Sequence, residues 1–194
     1  MSAPTREAVF AAMQAKGYVT FAGDYDVNII GIRTLPGAPN VFDDWMCVAY
    51  RADNAWHWET WPCTTDPGTY WLLNPSHVSG TAVLAPAQNR GAFTFGLHHG
   101  EYECLVQRGP VAAYLDANRD GKADETGPVH QLSAGCGIHI HRASETHTST
   151  QVEKYSAGCQ VFANPVHFAQ FLVLCHEQLR HGHGDSFTYT LLEM

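Results

Sequence analysis

Ala55-Trp56-His57-Trp58-Glu59-Thr60-Trp61 sets Trp56 and Trp58 against His57 and Glu59 with a period of two. Successive side chains of a strand point to opposite faces, so this alternation predicts a half-buried β-strand, with the tryptophans as core and rim residues of a sheet rather than a sugar-stacking platform. Outward from it, Val27-Asn28-Ile29-Ile30-Gly31-Ile32 and Met46-Cys47-Val48-Ala49-Tyr50 are apolar runs of strand length. Further strands are predicted at residues 69–73, 81–84, 92–97, 111–115, 138–141 and 187–192. Pro36-Gly37-Ala38-Pro39, Asp66-Pro67-Gly68 and Arg108-Gly109-Pro110 mark turns between them. Two helices flank the strands. One runs over residues 5–16, capped by Thr5, stopped by Gly17, and apolar along Val9, Phe10 and Met13. The other starts at Asn164-Pro165, a cap followed by proline at the first helical position. It runs to about Arg180, buries Phe168, Phe171, Leu172 and Cys175, and ends near Gly182. The sum is a mainly β, α+β domain with a helix near each end. Strands and helices do not alternate, which argues against a dinucleotide-binding or P-loop fold.

At 194 residues with no repeat or linker, the chain reads as a single catalytic domain over residues 1–194. Hydrophobic residues make up 45%, enough for a core. The formal charge of −8 and the lack of a Lys/Arg cluster argue against a nucleic-acid partner, since few cations could replace condensed counterions. No apolar run approaches the roughly 20 residues of a bilayer span, so no membrane insertion is expected. The first residues, Met1 to Glu7, carry no basic and apolar secretory pattern, which predicts synthesis in the cytoplasm without a signal peptide. The six cysteines form no C-x-x-C pair and read mostly as buried thiols rather than a disulfide framework.

Gly137-Ile138-His139-Ile140-His141-Arg142 alternates strictly. On a strand, Ile138 and Ile140 face one side and His139 and His141 the other, about 7 Å apart. Past a polar spacer comes Ser156-Ala157-Gly158-Cys159-Gln160-Val161-Phe162. Small residues before the cysteine permit a tight turn that aims the thiol into a cleft and leaves the Gly158 and Cys159 amides free for an oxyanion. At its ordinary pKa of about 8.5 the thiol needs an imidazole, as base or as ion-pair partner, to act as a nucleophile.

His141, the spacer from Arg142 to Tyr155, and Ser156-Ala157-Gly158-Cys159 resemble the signature of the L,D-transpeptidase (YkuD-like) family. Thr64-Thr65-Asp66-Pro67-Gly68-Thr69-Tyr70 is similar to that family's upstream turn-and-strand segment. The resemblance spans about Trp56 to Phe162. It implies an L,D-transpeptidase-like β-sandwich with Cys159 as nucleophile, His141 as proton-transfer partner, oxyanion amides from Gly158 and Cys159, and His139 orienting His141 or touching substrate. The implied activity is cleavage or transfer at a peptidoglycan stem peptide through a thioester, with water or an amine as acceptor and no cofactor required. Ala157 stands where many members carry His or Lys, and Gln160-Val161 where a polar Asn or Arg often follows, so the bond cut differs from the family's usual one or is read by other residues. Arg142, which can bind a carboxylate bidentately or simply pair at the surface, is one of these, with Ser156, Gln160 and His99 as further substrate contacts. A wall substrate and a cytoplasmic origin together imply release or delivery, as for a phage lysis enzyme or a secreted toxin, or action on recycled muropeptides.

Two metal readings stay beside it. Asp116, Asn118, Asp120 and Asp124 fall at calcium-loop positions of D-x-N-x-D-G. Gly127 occupies the twelfth position and Glu125 stands two residues early, so the segment is either a structural Ca²⁺ loop or an Asx-rich turn. His139 and His141, with His98, His99, His147 or Cys136, would suit a zinc-dependent hydrolase. A non-catalytic wall-binding module is the remaining alternative.

Overall fold

The computed structural model describes residues 2–194. The fold is mainly β with few helices. Helix α1, Arg6–Ala15, starts where the Thr5 hydroxyl accepts the Ala8 amide. Strand β1, Asn28–Arg33, is buried along its whole length. Ile29 joins the main core, while Ile30 and Ile32 pack beneath Val9 and Met13 of α1. Burial on two faces is why its sequence is a continuous apolar run rather than an alternation. Strands β2, Asp44–Ala52, and β3, Ala55–Thr64, form a hairpin. Asp53 and Asn54 both take positive φ (51° and 60°) in its two-residue turn, as that turn's twist requires. Trp61 enters the core, whereas Trp56 meets Phe10 edge-on and Trp58 reaches the Pro4 carbonyl.

After helix α2, Thr69–Leu73, come β4, Thr81–Leu84; β5, Gln88–His98; β6, Tyr102–Gln107; β7, Val111–Asp116; and β8, His130–Leu132. A 3₁₀ turn at Ala134–Cys136 leads to β9, His139–Arg142, then β10, Gln160–Phe162; α3, Pro165–Arg180; and β11, Phe187–Glu193. Eight strands close into a barrel in the order β1-β11-β5-β6-β9-β10-β3-β2, and β4-β7-β8 form a separate small sheet. The pairs β1–β11 and β9–β10 are parallel. Helix α3 buries Phe168, Phe171, Cys175 and Gln178, with Asn164 capping it; Leu172 is only partly buried.

Two expectations change, and three strands fall outside the segments read as strands. Residues 69–73 are helical rather than extended: a single turn sinks Leu72 into the protein and leaves Tyr70 and Trp71 half-buried. The strands close into a barrel where a sandwich was expected, because β11 returns from the far end of the chain to pair with β1. Strands β6, β8 and β10 carry no alternation of their own. In β6, adjacent Cys104 and Leu105 are both buried; in β8, His130 and Gln131 are both exposed.

One polar group ties the open end of β1 to the Thr64–Gly68 turn. Arg33, 1% exposed, lies 2.8 Å from Asp66, 2.8 Å from Glu125 and 3.7 Å from Glu193, and also bonds Thr65. Asp44 beside it accepts the Thr34 amide and both the amide and the hydroxyl of Thr65. Burial, reinforced by Asp66, pushes the Asp44 carboxyl up to about 7. The folded chain therefore holds a proton that the unfolded chain releases above about pH 4, so this group's stabilisation falls as pH rises from there to about 7. Urea unfolding at about pH 5 and about pH 8 should show the wild type losing stability over that interval and Asp44→Asn losing less.

Candidate active site

Strand β9 sends Ile140, with Ile138 just before it, into the core, and His139 and His141 to the other side. In the parallel β9–β10 pair, Ile140 faces Gln160 and His141 faces Val161. Cys159 therefore falls beside His139, whose amide donates to its sulfur at 3.4 Å; the thiol approaches the Gly137 carbonyl at 3.6 Å. Cys159, His139, His141, His98, His99, Arg142 and Tyr102 line one cleft of about 500 Å³.

The turn before the cysteine is tightly held. Ser156, fully buried, accepts the Gly158 amide at 3.2 Å and donates to the Cys159 carbonyl at 2.7 Å. Gly158 has φ +119°, and a Cβ there would stand 2.6 Å from the Ala82 carbonyl of β4. Only glycine fits both the conformation and the approach. The upstream segment docks on the same turn: the Gly68 amide donates to the Ser156 carbonyl at 2.9 Å, and Trp71 Nε1 donates to the Lys154 carbonyl at 3.1 Å. The two sequence segments singled out above thus pack together.

His141 is 1% exposed. Its Nδ1 lies 2.8 Å from the Arg142 carbonyl, which can only accept, so Nδ1 carries the proton and Nε2 the lone pair. Nε2 is buried and has no hydrogen-bond partner among the described residues. His98 stacks on His141 with ring centroids 3.9 Å apart, and its Nδ1 lies 3.0 Å from Nδ1 of His139. The Tyr102 hydroxyl donates to the same Arg142 carbonyl, and the Arg142 guanidinium lies 4.0 Å over the Tyr102 ring.

Burial, and then the neighbouring His98, drive His141 down to about 3; burial also takes His98 to about 4 and lowers His139. Burial pushes the Cys159 thiol up to about 11, against the His139 amide, which favours the thiolate. An imidazole that ionises the thiol early was one of the two ways of activating it; the resting pair is instead a neutral thiol and a neutral base, because the site is too dry to hold either charge.

Several expected roles move. Ser156 and Gln160 are fully buried. Gln160 donates to the Thr65 and Gly158 carbonyls and accepts from Tyr189, so both side chains build the fold rather than touch substrate. The Gly158 amide is engaged by Ser156 and is not a free oxyanion donor. Arg142 lies at the cleft, with Glu145 3.6 Å away, and His99 lies exposed at its rim. His147 pairs with Ser144, and Cys136 is exposed on the far side of Ala157, in a second cleft. The donors that converge for a metal among the described residues are His98, Cys104 and His139, within 4.8 Å of one another, and not His141.

The Asp116–Asp124 segment is a chain of Asx turns. Asp116 accepts the Asn118 and Asp124 amides, Asn118 the Asp120 amide, Asp120 the Lys122 amide, and Asp124 the Thr126 amide. Glu125 pairs with Arg33 and is turned away from the loop. Cys104 and Tyr102 were not singled out one by one in the sequence; β6 gives no periodic signal, and only the barrel order brings it against β9.

No family model, curated protein or solved structure matches the chain. All six cysteines are free, and five are buried. No described helix is long and apolar enough to cross a membrane.

The dry thiol makes a direct expectation. At about pH 8 iodoacetamide should label exposed Cys136 well before Cys159, whose rate should climb only toward about pH 11. Mass spectrometry of timed digests checks this, and His141→Ala should not accelerate the labelling.

Proposed function

We propose that the protein is a cysteine-dependent acyl-transfer enzyme acting on peptide amides, with the stem peptide of peptidoglycan as the substrate class implied by the L,D-transpeptidase-like motif. One observation carries this reading: a buried imidazole, with its tautomer fixed by a backbone carbonyl, keeps a lone pair without a partner among the described residues, and His141 and Cys159 line the same cleft. A buried polar atom left unpaired costs about 1–3 kcal/mol, and such atoms call for a functional account.

The chemistry follows from the two neutral groups. His141 Nε2 accepts the Cys159 proton as the sulfur attacks the carbonyl carbon, so the charges form together in the transition state rather than beforehand. Collapse of the tetrahedral intermediate breaks the C–N bond, and the imidazolium returns its proton to the leaving amine. Water or a second amine then attacks the thioester, giving up its proton to Nε2, and the thiol is regenerated. His98 stacks on the His141 ring and Tyr102 shares its carbonyl acceptor; both act as positioning residues. Arg142 supplies the cleft with a cation suited to a substrate carboxylate.

The test is turnover of purified muropeptides, with the acyl-enzyme trapped by acid quench and weighed. Cys159→Ala should lose activity by roughly a thousandfold or more and form no adduct. His141→Ala should lose roughly a hundredfold or more, with its folded state unchanged by circular dichroism. Full turnover by Cys159→Ala would overturn the reading.

A further inference from the structure

We propose that His98, Cys104 and His139 form a zinc-binding site in the floor of the cleft, and that filling it shuts the thiol chemistry off. The three residues come from three neighbouring strands. In the β5–β6 pair Gly96 faces Cys104 and His98 faces Tyr102, and in the β6–β9 pair Val106 faces His139. Cross-strand partners share a face, so His98 and His139 lie diagonally on either side of Cys104, each two residues along. The donor atoms of all three lie within 4.8 Å of one another.

The donor set suits zinc. Two imidazoles and a thiolate are borderline-soft ligands, and three protein ligands leave a fourth position open. Tetrahedral Zn–N and Zn–S bonds of about 2.0–2.3 Å place neighbouring donors about 3.5 Å apart, so the cluster closes by about 1 Å. His98 and His139 already approach to 3.0 Å through Nδ1, where one neutral ring donates its proton to the lone pair of the other; moving that proton to the donor ring's Nε2 frees both Nδ1 lone pairs for a metal. Cys104 is buried, free, and unused by the acyl-transfer steps. Binding balances as an exchange: Zn²⁺ forms bonds to the sulfur and to one nitrogen of each ring, the Cys104 proton leaves to solvent, and the proton between the rings is given up as the donor ring takes one from solvent at its other nitrogen.

The consequence for activity rests on the acyl-transfer reading; the metal site itself does not. His139 also holds the Cys159 sulfur through its amide, and both line the same cleft. A metal there occupies the space the scissile bond needs and draws His98 from its stack on His141.

The experiment titrates the full-length, reduced, chelator-treated protein with Co²⁺ and then Zn²⁺. One equivalent of Co²⁺ should give tetrahedral d–d bands and a sulfur-to-cobalt charge-transfer band, bleached by one equivalent of Zn²⁺. Cys104→Ser should abolish the charge-transfer band, and His98→Ala, at a half-buried position, should weaken Zn²⁺ binding at least tenfold in competition with a chromophoric chelator. Cys159→Ala should keep both the band and the affinity. A wild type with no stoichiometric binding overturns the proposal, as does a band lost in Cys159→Ala but kept in Cys104→Ser. Neither readout needs turnover, so failure of the acyl-transfer reading and failure of the metal site are told apart. Where turnover is present, stoichiometric Zn²⁺ should abolish it, and a chelator should restore it.

Discussion

The site depends on the parallel pairing of β9 with β10. Parallel neighbours cannot be joined by a tight turn; the chain must travel back along the strand, which takes a dozen residues or more. Residues 143–159 make that return without a helix, so their backbone groups need partners elsewhere. Asn40 supplies two: its carbonyl accepts the Val152 amide and its side chain the Glu153 amide, and the same side chain accepts the Thr69 amide beside the crossover. The Gly68 amide holds Ser156, and a Cβ at Gly68 would lie 1.9 Å from the Glu153 carbonyl. The spacing between His141 and Cys159 is thus a crossover length, and the Pro67-Gly68 turn is the surface the crossover docks against.

The electrostatics follow from how tightly this closes. A cysteine 9% exposed and a histidine 1% exposed sit where water cannot stabilise a charge. The imidazoles of His98, His139 and His99 further disfavour a proton on His141, and His99 does the same to His98 and His139, which adds to the effect of burial. A preformed thiolate–imidazolium pair is therefore the wrong resting state for this protein. In the proposed reaction, charge is favoured only once a substrate carbonyl can take the developing negative charge; the neutral buried thiol is meanwhile shielded from oxidants and alkylators.

Much of this was legible in local pattern and some was not. The two helices, with Thr5 and Asn164 at their caps, could be read because capping and 3.6-residue periodicity are local. The Ile138–His141 alternation was legible for the same reason: core on one side, histidines on the other. Barrel closure was not, because β1 and β11 lie at opposite ends of the chain and nothing in either encodes the other. Ser156 and Gln160 looked like substrate contacts by their place beside the cysteine; only their neighbours show that their polar groups are spent on Gly158, Thr65 and Tyr189. Glu125 looked like a displaced calcium ligand, and its true partner, Arg33, lies far away in sequence.

The contrast between the two sheets explains why the candidate site sits where it does. Closure leaves the barrel without edges, so the relative positions of β5, β6, β9 and β10 are set by hydrogen bonds on both sides of each strand. Residues carried on those strands are held in place on both sides, which is what the proposed proton transfer requires. The small sheet is open, its β8 edge is only three residues long, and it meets the barrel's site at the Ala82–Gly158 approach. A side chain at position 158 would separate the two. Glycine keeps them in contact, so that Ala157 borders both the histidine-lined cleft and the second cleft walled by β4. The closed barrel carries the residues of the candidate site while the open sheet supplies a wall, and Cys159 stands at the seam between them.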